Sequence, residues 1–160
     1  MSDIVVRKAT KSDSSTLLRL IESLAEYEHL TPPDAVAKER LISDMFRENP
    51  RIEASLAFAD ETPAGYTLMF ETYSSFLARP TLFLEDLFVL PEYRGKGVGY
   101  ALFKALVAEA DRRGCGRVEW AVLDWNKLAI EFYERLGATH LKEWLCYRLT
   151  SNEFRGVLEK

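Results

Sequence analysis

Cysteine and histidine are scarce in this 160-residue chain: Cys115, Cys146, His29 and His140 are all there are, and no set of them stands at metal-ligand spacing. No metal is expected, and two separate thiols are expected to stay reduced in a cytoplasmic protein rather than form a disulfide framework. Long apolar runs are missing too. Met1 to Arg7 lacks the apolar core of about 7–15 residues that a signal peptide needs, and no stretch reaches the roughly 18 apolar residues of a membrane span, so no membrane partner is expected. Nor does one sign of charge dominate. The 21 Lys plus Arg against 25 Asp plus Glu leave a net charge of −4, which gives no general attraction to nucleic acid and mildly favours a cationic substrate. Internal repeats, linkers and low-complexity segments are absent, and 48% of residues are hydrophobic. One domain over residues 1–160, with a buried core and a cleft, is the expectation.

What is present reads as an α/β chain. Ile4 to Ala9 suits a short strand, and Thr10 to Asp13 supplies capping groups for a helix that carries Leu17, Leu18, Ile21, Leu24 and Ala25 and ends near His29. Thr31-Pro32-Pro33-Asp34 breaks it, and Asp34 caps a second helix with Val36, Leu41, Ile42 and Met45, running up to Pro50. Ile52 to Ala59 and Tyr66 to Thr72 then form a hairpin across Asp60 to Pro63. Thr81 to Leu90 is an apolar strand holding two acids, Glu85 and Asp86, and it stops at Pro91. A long helix with Val98, Ala101, Leu102, Ala105 and Leu106 at helical spacing ends near Gly114. If that helix is a crossover, Arg117 to Leu123 is a parallel strand. Asn126 to Arg135 is a short helix stopped by Gly137, and Trp144 to Leu149 is expected as a last strand.

Between strand and helix lies Arg94-Gly95-Lys96-Gly97-Val98-Gly99. Glycines there let the backbone approach a phosphate closely, and the first amides of a helix attract anions. A Walker A loop requires Gly-Lys followed by Ser or Thr, which is missing. A dinucleotide fingerprint requires glycine where Tyr100 stands, and the acid at about the right distance, Glu119, lies inside a strand. The remaining pattern, Arg-x-x-Gly-x-Gly, is met by Arg94, Gly97 and Gly99, and it resembles the acetyl-CoA loop of the GNAT N-acetyltransferases. Leu84 to Val89, Asp124-Trp125-Asn126, Phe132 to Ala138 and Leu24 to Glu28 resemble the diamine (spermidine/spermine) and thialysine branch of that superfamily, so the likeness runs over nearly the whole chain.

The resemblance implies a mixed, twisted sheet with helices on both faces, whose fourth and fifth strands splay apart to receive pantetheine. It implies that backbone of Leu87, Phe88 and Val89 pairs with pantetheine. Arg94, with the amides of Gly95, Lys96, Gly97, Val98, Gly99 and Tyr100, would hold the pyrophosphate, and Asn126 and Ala129 would flank the cofactor. It also implies a homodimer.

Acetyl transfer to an amine needs a base, because an ammonium of pKa about 10.4 must lose a proton, and an acid for the departing thiolate. By resemblance Glu85 is the base facing the amine and Tyr133 the acid, with an N–H of Val89 or Phe88 meeting the oxyanion. Asp86, on the opposite face by strand alternation, reads as an edge carboxylate or the ion-pair partner of a Lys or Arg. Neither cysteine adjoins a histidine, so direct transfer in a ternary complex is expected rather than a thiol relay. Tyr27 and Glu28 match acceptor-binding positions of the branch, one offering a cation–π face and the other a charge partner for a second ammonium. The polyamine enzymes carry a Glu-Glu-Gly run before the final Trp. Here His140 to Leu145 is shorter with one acid, which leaves thialysine, lysine-like and small diamine acceptors open. An acyl-CoA-binding sensor without activity would have no need of Glu85 and Tyr133 together, and a protein-lysine or N-terminal acetyltransferase is the other alternative.

Overall fold

The reversal at Asp60 and Glu61 is built from two residues in left-handed backbone, φ 47° and 65°, the geometry whose twist suits a tight hairpin. The computed structural model, which describes residues 3–160, places this turn between strands β2 (Glu53–Ala59) and β3 (Thr62–Ser74). Strand β1 (Ile4–Lys8) pairs antiparallel with β2, and β4 (Arg79–Val89) pairs antiparallel with β3. Helix α3 (Val98–Arg112) carries the chain over to β5 (Arg117–Trp120), which joins β4 in parallel. The result is a mixed five-stranded sheet in the order β1-β2-β3-β4-β5.

Helices cover both faces, because the strands alternate apolar residues to either side. On one face, Leu17, Leu20 and Ile21 of α1 (Ser14–Tyr27) and Met45 of α2 (Ala35–Phe46) pack with Ala54, Leu56, Tyr66, Leu68 and Phe88. On the other, Val98 and Leu102 of α3 pack with Ala57, Ala59, Ala64 and Val89. Each fully buried Leu contributes about 1.5–3 kcal/mol. Asp34 caps α2 as its sequence suggests, its Oδ1 accepting the Ala37 N–H at 2.8 Å. Gly65 allows β3 and β4 to approach closely, since a Cβ there would lie 2.5 Å from the Phe88 carbonyl oxygen.

The chain forms two compact units, Met1–Ala121 and Val122–Lys160. In the second, α4 (Lys127–Arg135) starts at Asn126, whose Oδ1 accepts the Ala129 N–H at 3.2 Å, and a left-handed Gly137 (φ 82°) follows it. The strand expected over Trp144 to Leu149 is not formed: those residues have no regular structure. Their apolar, aromatic-containing run suits a strand by composition, but a strand requires a partner, and the described residues of this unit contain no other. A short helix, α5 (Phe154–Leu158), follows instead, preceded by a turn in which Thr150 and Glu153 form a reciprocal capping box. The parallel strand is also shorter than expected, ending at Trp120 rather than Leu123. Among the described residues no helix is long and apolar enough to cross a membrane.

Candidate active site

Pairing between β4 and β5 stops at Leu84 opposite Trp120, yet β4 continues to Val89. From Glu85 onward its outer edge therefore carries backbone groups with no strand beside them. The Leu90 N–H donates to the Ala64 carbonyl at 2.9 Å, on the β3 side. By strand alternation Phe88 is also turned to β3, while Leu87 and Val89 present their N–H and C=O groups to the open edge. Of the two amides suggested for the oxyanion, only that of Val89 faces outward.

The same strand carries an irregularity where it opens. Leu84 pairs with Met69, but Asp86 pairs with Leu68, so Glu85 is an extra residue with no partner across the ladder. A β-bulge of this kind bends the strand and re-aims its side chains. Glu85 is exposed. Alternation restarts after the bulge, which places Asp86 with Tyr66, Leu68 and Phe88 on the α1 side of the sheet.

Asp86 is thus not the edge carboxylate that strict alternation suggests. It is partly buried, and its Oδ2 accepts a hydrogen bond from the phenol of Tyr66 at 2.9 Å, so its partner is a tyrosine and not a Lys or Arg. Burial pushes the Asp86 carboxyl up to about 6, and the neighbouring charges of Glu85 and Glu28 push the same way, while the bond from Tyr66 opposes them. Tyr66 is fully buried, and burial together with Asp86 raises its phenol well above the usual value. Sequence reasoning did not single out Tyr66 and gave Asp86 a different setting and partner. Two consecutive acids inside an apolar strand were the available signal, because without a bulge one of them must face a packed side.

Tyr27 closes α1 and Glu28 follows as its cap. Glu28 is half-buried, and that burial raises its carboxyl. Tyr27 lies 6.2 Å from the Phe88 ring, centroid to centroid. Arg94 reaches back from the glycine loop: its Nε donates to the Val89 carbonyl at 2.9 Å, and its guanidinium carbon sits 4.6 Å from the Tyr27 ring centroid and 5.5 Å from that of Phe88. The first unit therefore gathers Tyr27, Glu28, Glu85, Phe88 and Arg94, with Tyr66 and Asp86, around the open end of β4.

The loop itself fits an anionic group. Gly95 and Gly97 hold left-handed backbone, φ 71° and 89°, and the first helical hydrogen bond is Ala101 N–H to the Gly97 carbonyl at 3.0 Å. The N–H groups of Val98, Gly99 and Tyr100 precede it and have no acceptor within the helix. Val98 is buried against the core, whereas Lys96 and Tyr100 are exposed, with the Lys96 ammonium 5.5 Å from the Tyr93 ring centroid. An edge of strand N–H groups with no strand beside them, leading to a glycine-lined helix start, suits an extended, amide-containing chain ending in pyrophosphate, which is the chemistry of acyl-coenzyme A.

Asn126, Ala129 and Tyr133 lie in the second unit. The first two are joined by the α4 cap, and Tyr133 sits on α4 with its ring 5.3 Å from that of Phe132, edge to face.

Comparison with known proteins places these features in context. Residues 17–138 match the acetyltransferase (GNAT) family. The chain is 36% identical over 171 residues to a thialysine N-epsilon-acetyltransferase of Bos taurus, covering all of both chains. It is 45% identical over 98 residues to an L-ornithine N5-acetyltransferase of Arabidopsis thaliana, spanning 61% of this chain and 43% of that one. Among solved structures, an integron cassette protein from the mobile metagenome of V. cholerae shares the fold with a TM-score of 0.80 at 22% identity, over 98% of each chain.

Proposed function

The chain belongs to the acetyltransferase (GNAT) family and is an N-acetyltransferase, and from that premise we propose that it moves an acetyl group from acetyl-CoA directly onto a primary amine of a small cationic acceptor. Thialysine, lysine-like compounds and short diamines are the acceptors this reading favours. Both similar proteins named above act on basic amino acids by their names. The observation that carries the proposal is the convergence of three carboxylates, Glu28, Glu85 and Asp86, at the place where β4 leaves β5 and the glycine loop begins.

In this reading Glu85, turned out at the bulge, takes the proton that makes the amine nucleophilic. The outward N–H of Val89 holds the developing negative oxygen, and Leu87 and Val89 align the donor along the open edge. Arg94 and the amides from Gly95 to Tyr100 hold the phosphates. Tyr133 returns a proton to the departing sulfur, and Asn126 and Ala129 flank the donor. The family match runs across the boundary at Ala121, which supports treating both units as one catalytic domain. A homodimer and a cytoplasmic location belong to the same proposal, the first supported by the branch resemblance and the second by the two free thiols of Cys115 and Cys146.

The test is thiol release from acetyl-CoA with a panel of amines. Glu85→Gln is expected to slow every amine alike, because it acts on the reacting nitrogen. Glu28→Gln is expected to raise KM for acceptors with two separated positive charges by roughly 5- to 30-fold and to leave singly charged amines nearly unchanged, as a distal ion pair supplies uniform binding. If Glu28→Gln left all acceptors unchanged, the cationic-acceptor assignment would be withdrawn.

A further inference from the structure

The hydrogen bond between Tyr66 and Asp86 is the one feature of the site whose chemistry the roles above leave unused. Tyr66 is fully buried between α1 and the sheet, its ring 6.5 Å from that of Phe88, and its hydroxyl emerges only at Asp86. A phenol placed in a core needs a partner for its O–H, and Asp86 supplies it. That partner stands directly after the bulged Glu85 and opposite Leu68 on the neighbouring strand. Holding Asp86 therefore fixes where the extra residue projects.

We infer that Tyr66 and Asp86 form a positioning pair for amine activation, a buried clamp that holds the bulge and sets the negative field in which Glu85 takes a proton from the acceptor. The inference rests on the reading of Glu85 as base. The charged and titratable groups around Asp86 are Glu85 on its own strand, Glu28 at the end of α1 and Tyr66 on β3, with the Arg94 guanidinium beyond Phe88. Ionised Asp86 adds its charge to those of Glu85 and Glu28 and so strengthens the attraction for the incoming cation. Protonation of Asp86 removes that charge, so amine turnover falls on the acid side as Asp86 gains its proton. Tyr66 opposes that gain, because its donated bond favours the ionised carboxylate.

The experiment is a set of pH–rate profiles for the whole enzyme with thialysine and with a short diamine, for Tyr66→Phe, Asp86→Asn and Glu85→Gln. In Tyr66→Phe the ring stays and only the donor is lost. Its acid limb in kcat/KM is expected to move to higher pH, with kcat lower by about 10-fold or more and KM for acetyl-CoA unchanged. Asp86→Asn is expected to lose the part of the acid limb that Asp86 supplies, again with unchanged KM for acetyl-CoA. Should Tyr66→Phe fail to fold, as judged by thermal melting, the Asp86→Asn profile decides. A wild-type acid limb in these variants while Glu85→Gln is crippled overturns the positioning pair alone. Full activity of Glu85→Gln overturns the assignment of the base, and the pair with it.

Discussion

The guanidinium of Arg94 lies 4.6 Å from the centre of the Tyr27 ring, so a residue expected to hold phosphate also covers the aromatic face expected to meet the acceptor. The contact links the glycine loop to the end of α1, and Nε is anchored on the Val89 carbonyl at 2.9 Å. In the proposed reading, the cofactor and acceptor sides of the site are joined through one side chain. Tyr27→Phe keeps the ring face and is expected to be near neutral, whereas Tyr27→Leu removes a cation–π contact worth about 0.5–2 kcal/mol. Tyr27→Leu should raise KM for acetyl-CoA as well as for the amine by up to about 10-fold, and steady-state kinetics with each substrate varied in turn would show it. A change confined to the amine would mean that the stack does not serve the donor side.

Gly97 at φ 89° is a position where a side chain is disfavoured by backbone conformation rather than by space, since an added Cβ would meet only Ile4 Cδ1 at 3.7 Å. Gly97→Ala is expected to cost about 1–2 kcal/mol of stability, or to shift the loop out of the left-handed region. Either way the amides leading into α3 are displaced. Calorimetry should find acetyl-CoA affinity reduced by about 10-fold or more, with amine KM little changed, and unaltered affinity would disprove the phosphate role of the loop.

Tyr133→Phe tests the acid. The substitution preserves the ring beside Phe132 and the helix it sits on, and removes only the phenolic proton. A loss of roughly 10²-fold in kcat with intact acetyl-CoA binding is the expected result, on the scale of one positioned acid. Retention of full kcat would make Tyr133 a packing residue.

Asp86 ties stability to pH in the direction opposite to most carboxylates. Its folded value, about 6, stands above the ordinary carboxylate value of about 3.8, so between those pH values the folded chain binds more protons than the unfolded one. The contribution of this group is therefore greatest below about pH 4 and is lost as pH rises through about 6. At pH 7 the buried charge costs about 1–3 kcal/mol. Asp86→Asn can still accept from Tyr66 and is expected to be more stable than wild type at pH 7 and no more stable at pH 4. Thermal melts at the two pH values check the sign. Higher stability with lower activity is the pattern of a strained functional group.

Much of this protein was legible in its sequence because the signals are local. Apolar periodicity placed α1 and α3, Asp34 announced the start of α2, and Asp60 and Glu61 fell in the expected turn between the two hairpin strands. The glycine loop was recognisable because left-handed backbone at Gly95 and Gly97 requires that residue type. Even the missed helix α5 had its cue in Thr150 and Glu153.

Tertiary structure decided what depends on pairing between distant strands. Whether Trp144 to Leu149 forms a strand turns on a partner that its own apolar run cannot supply. The face on which Asp86 lies turns on the register of β4 against β3, where one extra residue at Glu85 reverses the alternation. A period-2 pattern carries no mark of the place where it slips, so the acid that sequence assigned to the outside is the one that the fold buries against Tyr66.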